Sequence, residues 1–321
     1  MLKFIRNGLW LLLLVSVSVS AQTYPGKVVK AMIGYAAGSS TDIVGRLLAA
    51  RLSETWKQPV IVENRGGAAG NLAADAVAKS APDGYTLLIA QNGLAISVAA
   101  NPKLPFNGER DLVPVAAIAA TPHILIVNIN LPAKSVQELI ALAKARADRP
   151  LTFGSSGHGN SDHMAGEMLK ALTGMRATHV PYRGGAPAAT DLMAGQIDFY
   201  FAGMPVGLPL AKSGKARALA VTSRERFSGA PDTPTMAESG VPDYDMVLWQ
   251  GVFVPAGTPR AIIDKIAADV AQILETPEMK ERMAGVGAQI FSLSADRFAA
   301  FYRNDIERWR GIVKQAGISI E

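Results

Sequence analysis

Short apolar runs alternate along most of the chain with longer stretches in which apolar residues recur every three to four positions. A buried strand needs only about four to eight apolar residues, whereas a helix needs a 3.6-residue period sustained over about ten or more. On that basis residues 28–33, 60–63 and 86–90 predict strands, with helices over 42–56 and 69–79 between them. A second series follows, with strands over 124–127, 151–154, 178–180, 199–201 and 216–221 and helices over 135–146 and 163–172. The last third returns to a strand over 248–254 and then runs through amphipathic helices over 260–274 and 295–316. Alternating β and α elements predict an α/β protein with two doubly wound sheets, whose ligand crevice lies beyond the carboxyl ends of the strands. If the last helices pack back on the first sheet, the chain crosses between two lobes near 120–123 and again near 245–250, and the crossings form a hinge. Lobe 1 then comprises residues 22–123 plus 249–321, and lobe 2 residues 124–248.

The N-terminus changes this picture. Lys3 and Arg6 precede an apolar run over 9–19 that ends in the small residues Val19, Ser20 and Ala21. A basic start, a short apolar segment and small residues before a break are the pattern of a secretory signal cleaved after Ala21, with a retained anchor as the other possibility. The expected location is the periplasm. No later apolar stretch approaches the roughly 18 residues of a membrane span. Losing Lys3 and Arg6 lowers the excess of 32 basic over 27 acidic residues from +5 to +3. That small, scattered excess, with no basic stripe interleaved with aromatics, argues against a nucleic-acid partner. The sequence has no cysteine. Thiolate catalysis and cysteine metal sites are therefore excluded, and a chain of this size can bury a sufficient core without disulfides.

The chemistry lies in loops that follow strands and open helices. The first contains Tyr35, Gly38, Ser39, Thr41 and Asp42, small and hydroxylic residues through which unpaired backbone N–H groups at a helix start can hold a carboxylate or phosphate. Thr41 and Asp42 are equally readable as caps of that helix. A second loop, with Ser155, Ser156, Gly157, His158, Gly159, Asn160 and Ser161, mirrors the first. Two such loops facing each other suit a dicarboxylate, or one carboxylate with a polar group. A third segment runs from His179 past Arg183 to Thr190 and Asp191, and Arg183 is either a partner for a ligand carboxylate or a solvated surface arginine. Trp249 and Phe253 either line the cleft or pack in the core.

Enzymatic readings fare worse. Ser156, His163 and Asp191 are the residue types of a hydrolase triad, but the sequence around Ser156 is no Gly-x-Ser-x-Gly elbow and the chain order is wrong. His163 is better placed to fix its loop by hydrogen bonding. His123, His158 and His179 lack metal-ligand spacing, so no metal is expected. The glycines from Gly66 to Gly70 do not fit a dinucleotide fingerprint and no P-loop is present, so no cofactor is expected either.

These loops, together with Asn64–Gly70 in the order Asn-Arg-Gly-Gly-Ala-Ala-Gly, Pro82-Asp83-Gly84-Tyr85, Gly195-Gln196-Ile197-Asp198 and the segment from Trp249 to Pro259, resemble the Bug family, the substrate-binding proteins of tripartite tricarboxylate transporters. The resemblance is collinear over essentially the whole chain beyond the leader. It implies a type II periplasmic binding-protein fold, a non-enzymatic receptor, a small carboxylate or amino-acid ligand, delivery to the transporter's membrane subunits, and a monomer. It also implies ligand contacts from Tyr35, Gly38, Ser39, Thr41, Asp42, Asn92, Ser155, Ser156, Gly159, Asn160, Thr190 and Asp191, the last two at a helix start. Two departures stand out: the first loop lacks the family's usual prolines, and Asn160 stands where serine is usual, with His158 an uncommon neighbour. A ligand sensor for a signalling partner is the alternative role on the same fold.

Overall fold

The predicted opening forms as β1 (Val29–Ile33), α1 (Ser40–Trp56), β2 (Val60–Asn64), α2 (Asn71–Ala78) and β3 (Thr86–Gln91). The computed structural model describes residues 24–146 and 148–316, so the leader and its Ala21 cleavage point lie outside the described residues. β1 lies between β2 and β3, parallel to both. Helix α2 starts at Asn71, two residues after the expected point, because Ala69 (φ 55°) and Gly70 (φ 90°) take left-handed conformations that no regular α-helix accommodates. Helix α3 (Gly93–Ala100) was not anticipated, since it is apolar nearly all round and shows no periodic contrast.

The strand expected over 124–127 is the end of a much longer one, β4 (Leu112–Asn128). Pro114 and Pro122 suggest breaks in the sequence, yet they are accommodated. The ladder slips in register just after Pro114, and Pro122 is the last residue to pair with β9 (Val247–Pro255). From His123 onward β4 pairs with β7 (Phe199–Gly203) and, on its other edge, with β8 (Ala216–Val221). One strand thus belongs to two sheets, and these are the two lobes. In the first the order is β2-β1-β3-β9-β4, with β10 (Ile290–Leu293) on the far side of β4. In the second, β7 continues to β5 (Leu151–Ser155) and β6 (Ala177–Pro181), these three being parallel. β9 runs antiparallel to both β3 and β4, so each lobe combines a parallel wing with antiparallel strands at the junction.

Helix α4 (Val136–Ala145) precedes β5, α5 (Ser161–Thr173) precedes β6, and α6 (Gly185–Met193) and α7 (Met204–Lys212) flank β7. Pro205 and Pro209 hid α7 from the periodicity; the first lies in the opening turn, where a missing N–H costs nothing. The C-terminal helices α8 (Arg260–Glu275), α9 (Pro277–Gly285) and α10 (Ala295–Ala316) return to the first lobe. Ile263, Ile266, Val270 and Met283 join Val44, Leu48 and Ile118 in its core. Trp249 and Phe253 are core residues: they pack edge-on against Phe298 and Tyr302 of α10, and Trp249 Nε1 donates to Asp305 at 2.7 Å. Among the described residues no helix is long and apolar enough to cross a membrane.

Candidate functional site

The loop after β1 opens α1. Gly38, at φ 78°, takes a turn that disfavours a side chain and donates its N–H to Asp42 Oδ2 at 2.8 Å. Ser39 is the N-cap of α1 and its hydroxyl accepts from the Asp42 N–H at 3.4 Å. Asp42 is buried, which alone would raise its carboxyl. Bonds from Arg46, Asn64 and the Gly38 N–H outweigh that and hold it below the usual carboxylate range. Thr41 donates to Gln91 Oε1 at 2.7 Å. Thr41 and Asp42 therefore brace the loop from within their own lobe.

The loop after β5 opens α5 in the same manner. Its buried Asp162 carboxylate receives the Ser156 N–H at 2.7 Å, the His163 N–H at 2.9 Å and the Tyr200 hydroxyl at 3.2 Å. Burial nonetheless pushes Asp162 upward, and the Tyr200 hydroxyl as well. Ser155 is held against the Gly157 carbonyl and His179, and the Gly159 N–H donates to His163 Nδ1 at 3.0 Å. His163 fixes the loop, as its position suggested. Asn160 is the N-cap of α5, but its side chain makes no cap bond.

That side chain instead spans the cleft. Asn160 Oδ1 lies 3.1 Å from the Tyr35 hydroxyl and 3.1 Å from Gln91 Nε2, both in the first lobe, while its Nδ2 donates to Ser156 Oγ at 2.8 Å. Tyr35 shares its one proton between Asn160 and the Ala69 carbonyl at 2.8 Å. Nearby the Ala36 N–H donates to the Arg183 carbonyl at 3.0 Å, and Ser40 of α1 packs against Gly203 so closely that a Cβ there would lie 2.3 Å from its hydroxyl. The lobes are shut on each other.

Between them remains a cavity of about 10 Å³, room for about one water. Tyr35, Ser39, Ser40 and Gln91 line it from the first lobe; Ser156, Ser161, Asp162 and Tyr200 from the second; His123 and Leu248 from the crossing strands. The lining contains no lysine or arginine. Positive potential comes instead from the N-termini of α1 and α5, whose first-turn N–H groups have no intrahelical acceptor. His123 is buried, which lowers its pKa to about 3 and keeps it neutral, with Nε2 3.1 Å from Ser161 Oγ.

Of the residues singled out from sequence, Tyr35, Ser39 and Ser156 line this cavity, and Asn160 closes it. Gly38, Thr41, Asp42, Ser155 and Gly159 shape the two loops behind it. Asn92 lies elsewhere, donating Nδ2 to the Val247 carbonyl and so tying β3 to the returning strand. Thr190 and Asp191 are not at a helix start: Gly184, at φ 137°, turns the chain so that α6 begins at Gly185. Thr190 is exposed and bonds back to Ala186 in its own helix, and Asp191 accepts from the Tyr182 hydroxyl at 2.7 Å. The Arg183 side chain is exposed. Ser156, His163 and Asp191 have separate partners and form no triad. Gln91 lies in the Gln91–Gly93 turn to which the family resemblance points; Tyr200 and Gly203 of β7 were missed, although Gly203 ends its strand, where an α/β fold puts its ligand.

A family model described as tripartite tricarboxylate transporter family receptor matches residues 44–318. Protein BugT of Bordetella pertussis is 35% identical over 309 residues, covering 96% of this chain and 94% of its own. The solved structure of R. palustris Rpa4515 with adipate superposes with a TM-score of 0.89 at 35% identity, over 92% of this chain and 99% of that one. MatC (Rpa3494) from Rhodopseudomonas palustris with bound malate gives a TM-score of 0.86 at 32% identity, over 90% of this chain and 100% of that one.

Proposed function

Because this chain belongs to the tripartite tricarboxylate transporter receptors, the Bug family of periplasmic solute-binding proteins rather than enzymes, we propose that it captures a small organic carboxylate between its lobes and delivers it to a tripartite transporter's membrane subunits. It acts as a monomer, exported with cleavage after Ala21. Lobe 1 is residues 22–123 with 249–321, and lobe 2 is 124–248. The observation that carries the reading is the meeting of two helix N-termini, one from each lobe, on a single cavity lined by hydroxyls and amides without a basic side chain. Such an arrangement binds carboxylate oxygens through fixed N–H dipoles and hydroxyls. The relatives solved with adipate and malate point to dicarboxylates as the first class to try. Asp162 in the lining disfavours a second full negative charge close to α5, so the ligand's far end is either placed toward α1 or is uncharged.

The cavity is too small for such a ligand, so binding requires the lobes to part and the Asn160 bridge to yield. Calorimetric titration of protein stripped of bound solute by unfolding and refolding, with malate, adipate, monocarboxylates and amino acids, tests the proposal. One-to-one binding of at least one acid, abolished in Ser156→Leu, is expected. A ligand at about 100 times its Kd also adds roughly 2.7 kcal/mol of stability. Binding that survives Ser156→Leu undiminished would place the site elsewhere.

A further inference from the structure

Three of the chain's four histidines converge outside the cavity lining. His158 lies in the 155–161 loop, His163 in the first turn of α5 and His179 in β6, and one nitrogen from each ring lies within 4.8 Å of the others. The His158 and His179 rings stand nearly perpendicular, at 88° with centroids 4.7 Å apart. Glu167, one turn along α5, brings a carboxylate oxygen 3.7 Å from His163 Nε2. His179 Nδ1 is buried and, among the described residues, has no hydrogen-bond partner. A buried ring nitrogen left without a partner costs free energy unless something supplies one.

We propose that His158, His163 and His179 form a binding site for a divalent transition-metal ion, with Glu167 or water as the fourth ligand. Imidazole donors favour zinc, nickel, copper or cobalt over magnesium or calcium. Tetrahedral coordination at about 2.0–2.1 Å puts donor nitrogens about 3.4 Å apart, so the three must draw together by up to about 1.4 Å. The loop supplies that slack: His158 is exposed and flanked by Gly157 and Gly159, at φ 137° and 73°. The rings of His163 and His179 stack with a 25° tilt, so one of them must turn to share an ion. For His163 that turn gives up the bond from the Gly159 N–H, and the ion would thereby reset the loop that carries Ser156 and Asn160. The metal site and the cleft are joined through this one short loop.

Titration of untagged protein with Co²⁺ or Zn²⁺, alone and in the absence of any organic acid, tests this. One equivalent is expected to bind, with the visible absorption of tetrahedral Co²⁺. His158→Asn, at an exposed position and so without effect on folding, is expected to weaken binding about tenfold or more. His179→Asn is expected to abolish it, with circular dichroism reporting whether the fold is retained. Absence of stoichiometric binding overturns the proposal, as does a His158→Asn variant that binds as tightly as the parent. The titration uses metal alone, so its outcome is independent of whether the cleft takes a carboxylate.

Discussion

Asn160 is fully buried, yet its amide oxygen is turned away from its own helix and toward two donors on the opposite lobe. On the proposed function, an acid oxygen entering the cleft meets the same two donors, and the Asn160 side chain then competes with the ligand for them. Neutral hydrogen bonds contribute about 1 kcal/mol each. Asn160→Ser, whose shorter side chain cannot span the cleft, is therefore expected to tighten carboxylate binding by roughly fivefold to thirtyfold. Calorimetry on the two proteins decides it: weaker binding in the variant would make Asn160 a ligand contact instead of a competitor. The sequence made the hydroxyls and glycines of both loops legible as a candidate binding surface. The local capping role of Asp42 was one of its two readings, but the sequence did not reveal that Asn160 reaches 125 residues back along the chain to Tyr35, because that pairing exists only in the tertiary structure.

At the scale of elements, periodicity located most strands and helices to within a residue or two, since buried parallel strands and amphipathic helices carry strong patterns. It failed where the pattern is weak or interrupted: in apolar α3, in α7 with its two prolines, and in β4, whose prolines made one long strand look like a short one. The same strand holds His123 at the change of sheets, buried and neutral with its pKa lowered to about 3. An unfolded histidine titrates near 6.5, so the unfolded chain binds more protons between those values. Stability from this residue is present above about pH 6.5 and is lost as pH falls toward 3. His123→Gln, neutral throughout and able to hydrogen-bond Ser161, removes that dependence. Its unfolding free energy is expected to fall between pH 7 and pH 4 by on the order of 3 kcal/mol less than the parent's. Equal losses in urea titrations at the two pH values would show that His123 is not the titrating group.

For the molecule as a whole, the proposed function requires that the lobes meet and part. Gly93 marks how closely they meet, because a Cβ there would lie 1.8 Å from Asn160 Oδ1 across the cleft and 3.0 Å from the Tyr35 hydroxyl. Its backbone is not left-handed, so alanine strains nothing within its own lobe beyond a small shift of Tyr35. Gly93→Ala is expected to leave thermal stability within about 1 kcal/mol of the parent while holding the unliganded cleft ajar, because the new Cβ meets Asn160. Solution scattering checks this: without ligand, the variant should have a larger radius of gyration than the parent. Equal radii would mean that Asn160 moves aside with the lobes still shut.

The return of β9 to the first sheet also governs how the protein comes into being. The second sheet is built from one unbroken stretch between His123 and Val221, but β3 finds its neighbour on the other side only when Gln91 meets Gln250, long after β1, β2 and β3 have been made. Pairings so distant in sequence form slowly. A chain emerging from the ribosome therefore carries the β2-β1-β3 sheet with one edge bare until its final third arrives, and an unpaired edge of that kind invites pairing with other chains until the last strand docks.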